Sequence, residues 1–64
     1  MQPHQQRVID EKQELDDKIE KLTAFISFSD IFKELPGMDQ LLLHDQLTHM
    51  CNYSLTLEKR ITRF

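Results

Sequence analysis

Apolar residues recur in steps of three and four along two stretches of the chain. The downstream stretch reads Leu43, Leu47, Met50, Ser54, Leu57, Ile61 and Phe64, with Ser54 its one polar member. The upstream stretch reads Val8, Lys12, Leu15, Ile19, Leu22 and Ile26, with Lys12 its one polar member. This period marks the apolar stripe of an amphipathic helix, and such a stripe needs a partner. Folded back antiparallel, the two stripes align without a slip. Ile26 falls beside Leu43, Leu22 beside Leu47, Ile19 beside Met50, Leu15 beside Ser54, and Val8 beside Ile61. The pattern predicts an all-α fold: one antiparallel two-helix hairpin over residues 1–64, with long helices over about 4–26 and 37–63.

The punctuation between the stripes agrees. Pro3 suits a first helical turn, where its missing N–H costs nothing. Glu14 with Lys18 and Asp17 with Lys21 are i,i+4 pairs that favour the first helix. Ser27-Phe28-Ser29-Asp30 reads as a stop and restart, with Ser29 or Asp30 able to cap a short helical turn over about 30–35. Leu35 precedes a proline and is pushed away from helical dihedrals, so that turn ends there. Pro36 suits the first position of the second long helix, with Asp39 near its positive end. Phe28, Ile31, Phe32 and Leu35 are expected to lid the hairpin, with Phe32 and Leu35 as anchors. Lys59, Arg60 and Arg63 close the second helix and are expected to lie beside Asp10, Glu11 and Glu14 of the first.

The two polar seam residues have two readings each. Lys12 can lay its aliphatic stem across Leu57 and reach water or Glu58, or it can fix register or oligomer state. Ser54 is read as a small residue that lets the helices approach, with a chemical role the alternative.

Size changes the picture. Sixty-four residues bury only about 60% of their unfolded surface, and small folds usually add a disulfide, a metal or a partner subunit. Cys51 is the sole cysteine, so no intrachain disulfide can form. The second long helix also has more apolar surface than one partner covers. Leu41, Cys51 and Leu55, with Thr48 between, make a second stripe, widened by Met38 and Leu42. These residues predict an interface, with self-association into a helical-bundle homo-oligomer expected and docking to a different protein the alternative.

Another line on the same helix runs Leu42, Gln46, His49, Tyr53, Thr56 and Arg60. An aromatic face and a guanidinium at helical spacing can stack a base and hold a phosphate. They can equally form a hot spot for a protein partner, or a solvated face. His49, Tyr53 and Arg60 are the candidate ligand- or partner-binding residues. Catalysis has no comparable support. His44 and His49 are five apart and do not share a face as metal-binding histidines at i,i+4 do. Gly37 is the only glycine, so there is no glycine-rich phosphate loop. A net charge of −3 argues against binding the nucleic-acid backbone. No apolar run approaches a membrane span, and the N-terminal residues have no signal-peptide core. A cytoplasmic, non-enzymatic protein without cofactor or metal is expected.

The segments HQQRVIDEKQELDDKIEKLTAFI, FKELPGMDQLLL and QLTHMCNYSLTLEKRITRF resemble a group of short helical proteins of tailed bacteriophages and prophages. The recurring frame is QRV..EK.ELD..I.KL..FI, then F..LP...Q..L, then Q...M..Y...L..RI..F, and it covers nearly the whole chain. Tyr53 and Arg60 fall inside it. The resemblance implies a small accessory protein of the infected bacterial cytoplasm, of a kind that blocks or redirects a host system. In architecture the chain is similar to phage anti-defence hairpins that assemble and sequester cyclic nucleotides. The implied partners are its own copies and a host protein or signalling nucleotide.

Overall fold

A computed structural model describes all 64 residues. Three helices follow one another: α1 over Pro3–Phe28, α2 over Asp30–Glu34 and α3 over Gly37–Ile61. The long helices α1 and α3 pack against each other as an elongated hairpin, 46 × 15 × 13 Å across its Cα atoms.

Local chemistry sets each boundary. Pro3 opens α1, and the Gln2 backbone N–H ahead of it donates to Gln5 Oε1 at 3.0 Å. This satisfies a donor that the first turn leaves free. Ser29 ends α1 by turning extended, φ −82° and ψ 129°. Its own N–H still closes the last turn on the Phe25 carbonyl at 3.1 Å, while its Oγ accepts the Ile31 N–H at 3.2 Å and caps α2. One serine therefore ends one helix and starts the next.

Leu35 turns extended ahead of Pro36, as the proline ring requires. Pro36 itself caps α3 rather than opening it. It is extended at ψ 148°, and its carbonyl accepts the Gln40 N–H at 3.1 Å. The Gln40 side chain reaches back and donates to the Leu35 carbonyl at 2.9 Å, which ties the connection to the first turn of α3. At the other end α3 stops at Ile61, two residues short of the expected 63. Thr62 Oγ1 donates to the Lys59 carbonyl at 2.7 Å and occupies the acceptor that the next helical N–H would use. Arg63 N–H bonds instead to Arg60, Phe64 N–H bonds to Ile61, and Phe64 is left 46% exposed off the seam.

Val8, Leu15 and Leu57 form the buried core, with Ile19, Met50 and Ile61 packed against it. Among them are Val8 with Ile61 and Ile19 with Met50, pairs the antiparallel register places opposite one another. Phe32 supplies a second buried anchor at the lid, between Phe25 of α1 and His44 of α3. Its ring meets both edge-on, at centroid distances of 6.0 and 5.8 Å. Leu35, the other expected anchor, is half-buried, whereas Phe28 and Ile31 face solvent, 83% and 65% exposed. A five-residue helix presents one face, and Phe32 occupies it.

Lys12 and Ser54 need correcting. Lys12 does not reach Glu58, and its ammonium is held by side chains rather than left to water alone. Its Nζ donates to Asp16 Oδ2 at 2.7 Å and to Ser54 Oγ at 3.1 Å, and Ser54 in turn donates to Asp16 Oδ1. Ser54 is thus more than a small residue that permits close approach: it is buried and joins α3 to an ion pair on α1. A polar cluster inside an apolar seam favours the register in which all three groups are satisfied. The Lys12 hydrogen bond, then the Ser54 hydroxyl, hold the Asp16 carboxyl below its ordinary 3.8, against a smaller opposing effect of burial.

Because the folded pKa is depressed, the stability this contributes is complete above the unfolded carboxylate value. It is lost as pH falls through the folded one. Asp16→Asn is therefore expected to be less stable than the parent at neutral pH, with the gap narrowing in acid. Thermal melts of both proteins across the carboxylate range check this, and a gap that stays constant with pH would exclude it.

The expected charge pairing between the hairpin's ends is also absent. The ion pairs are Lys12–Asp16 and the exposed Lys33–Asp30, while Lys59, Arg60 and Arg63 do not pair with Asp10, Glu11 or Glu14. Glu14–Lys18 and Asp17–Lys21 do not close either. Exposed pairs gain little over hydration, and fixing two long side chains costs entropy.

Candidate functional site

From Gln40 to Leu57 only Asp45 is charged at neutral pH, whereas α1 is charged at every turn from Arg7 to Lys21. The outward surface of α3 is therefore apolar and neutral polar over most of its length. Met38, Leu41, Leu42, Tyr53 and Leu55 are between 46% and 64% exposed there.

One flank of this surface forms an open depression of about 580 Å³, lined by Leu42, Asp45, Gln46, His49, Met50 and Tyr53. It is broad and open to solvent, a surface a ligand could lie against rather than a cleft that encloses one. Leu42 and Met50 give an apolar floor, Tyr53 a half-exposed ring, His49 an imidazole, and Asp45 and Gln46 a carboxylate and an amide. The amide donates to Met50 Sδ at 3.9 Å, a weak bond that leaves its carbonyl free to accept. All six residues come from one helix, at the spacing 42, 45–46, 49–50, 53 that repeats once per turn.

The depression joins two of the three candidate binding residues. His49 and Tyr53 line it. Arg60 does not, since it lies two turns beyond Tyr53, about 10 Å along the axis. Asp45 and Met50 line it although the sequence pattern did not place them there. The signal for Asp45 is its isolation, as the one charge in a long neutral stretch. Leu42, which the sequence places both beside the interface residues Met38, Leu41, Cys51 and Leu55 and on the line of His49 and Tyr53, lines the depression. The depression holds no cation apart from what His49 supplies when protonated. No group of three or more His, Cys, Asp or Glu side chains is placed to hold a metal ion. No helix is long and apolar enough to cross a membrane.

The family model of Sequestin matches residues 2–63. The chain belongs to the Sequestin family. The name denotes sequestration, so a Sequestin chain is read as a binding protein rather than an enzyme. The match takes in both long helices, the connection and every residue lining the depression. No curated protein and no solved structure matches the chain at a significant level.

Proposed function

We propose that this Sequestin-family chain is a phage-encoded accessory protein that works as an oligomer in the bacterial cytoplasm and sequesters a host defence signal of nucleotide chemistry. The observation that carries the reading is the depression on α3, with an aromatic ring, a carboxylate and an imidazole over an apolar floor. Tyr53 offers a face for a base, a contact worth about 1–3 kcal/mol. Asp45 accepts from ribose hydroxyls or a base amino group, and its negative charge turns phosphates away from the depression. Arg60, on the same line of the helix, supplies the guanidinium for a phosphate. A cyclic nucleotide with more than one base has the length to bridge these groups. The neutral face of α3 also suits a protein adaptor without a small ligand, because interface cores are depleted of charge.

Calorimetry of the purified chain against a panel of cyclic mono- and dinucleotides tests the proposal. Tyr53→Ala and Arg60→Ala are each expected to weaken binding about ten-fold or more, consistent with losses of 1–3 kcal/mol, while helicity stays at the parent level. Nucleotide binding unchanged in both variants would remove these residues from the site. Absence of any nucleotide binding, with a host protein retained on the chain after purification from cells, would favour the adaptor.

A further inference from the structure

The α3 surface has two apolar rows, and they differ in what they leave unsatisfied. One row is Leu41, Thr48 and Leu55, seven residues apart and so on one line of the helix. The other, one position on, begins with Leu42 and His49 and carries the depression, about 100° further round. Leu41 and Leu55 are about half exposed. Thr48 stands midway between them, and its hydroxyl already donates to the His44 carbonyl at 3.1 Å. The row therefore presents two leucines and a methyl group, with no donor left to satisfy if it is covered.

We infer that a second copy of this chain covers the Leu41–Thr48–Leu55 row, with the two α3 helices antiparallel and a two-fold axis at Thr48. The row is self-complementary under that operation: Leu41 of each copy meets Leu55 of the other, as an isologous interface requires. Charge chooses the direction. Each α3 has Asp39 in its first turn and Lys59 and Arg60 in its last. Antiparallel pairing brings acidic beginning toward basic end and opposes the helix dipoles, whereas parallel pairing puts like ends together. The depression stays open, so each pair carries two. The inference rests on the self-association in the proposed function and is independent of its ligand.

Disulfide trapping in the ligand-free full chain, after mild oxidation, reads the geometry. Thr48→Cys in a Cys51→Ser background is expected to convert most of the protein to a covalent dimer of twice 7.7 kDa. The parent chain is expected to stay uncrosslinked, because antiparallel helices centred on residue 48 hold the two Cys51 residues about 9 Å apart along the axis. Native mass spectrometry of the reduced parent is expected to give a dimer or an even multiple, with Leu55→Glu reduced to the monomer. Ready crosslinking through Cys51 would show a parallel pair and overturn the orientation. A monomeric parent at tens of micromolar would overturn the pairing. Loss of nucleotide binding with trapping intact would count against the ligand alone.

Discussion

Leu57→Ala is expected to remove a large part of the hairpin's stability. Leu57 is the only side chain in the protein that is fully enclosed, at 1% exposure, and it sits between Val8 and Leu15 where the helices are best sealed. Truncating a buried leucine costs about 2–5 kcal/mol, the lost transfer energy plus a cavity. A domain of this size has a total stability of about 3–10 kcal/mol on a per-residue scale. The loss is thus a large part of the whole, and the melting temperature is expected to fall by at least about 10 °C. Far-UV circular dichroism at low concentration measures it. Phe28→Ala is the control. Phe28 is equally apolar but 83% exposed, so its removal should change stability by no more than about 0.5 kcal/mol. Equal effects in the two variants would show that the core is not where Leu57 places it.

Phe32→Ala releases the connection before it releases the hairpin. The Phe32 ring is the one buried side chain of α2, and its edge contacts with Phe25 and His44 fasten that short helix to both long ones. A buried phenylalanine truncated to alanine costs about 3–5 kcal/mol; at the open end of a hairpin the lower figure applies. The rest of α2 has little to hold it, since Ile31 is exposed and the Lys33–Asp30 pair is solvated. Hydrogen exchange is expected to show amides 31–35 losing protection while those around Leu15 and Leu57 keep theirs. Phe32→Leu should restore part of the protection by refilling the space, without the edge-on ring contacts. Exchange at 31–35 matching the parent in Phe32→Ala would mean that the Ser29 cap and the Gln40 bond to Leu35 hold the connection alone.

The two long helices divide the work by charge. α1, charged from Arg7 to Lys21, faces water on its outer side and contributes a seam. α3, nearly uncharged between Gln40 and Leu57, contributes the other half of that seam, the depression and the row assigned to a second copy. A helix with three roles on its surface has little room for solvating charge. Asp45, the exception, lies in the depression.

The helices, their breaks and their register were legible in the sequence. Hydrogen bonding within four residues and a 3.6-residue period make those features local: the leucine before Pro36 must leave the helix, Ser29 can cap the short helix after it, and the short connection limits how two seams of equal period can align. The order Leu15 beside Ser54 and Val8 beside Ile61 comes from that arithmetic. What the tertiary structure decided was which polar groups meet. Asp16 lies off the seam by about 100°, so no period marked it. Its pair with Lys12 is local, at i,i+4, but both meet Ser54 only because folding brings together residues 38 and 42 positions apart in the chain. In the same way, only packing chose Phe32 over Phe28 and Ile31 for the lid, added Asp45 and Met50 to the depression, and left Arg60 outside it. The terminal charges that looked complementary stay apart for the converse reason. Apolar burial fixes a backbone whether or not long charged side chains find one another, and in water they gain little by doing so.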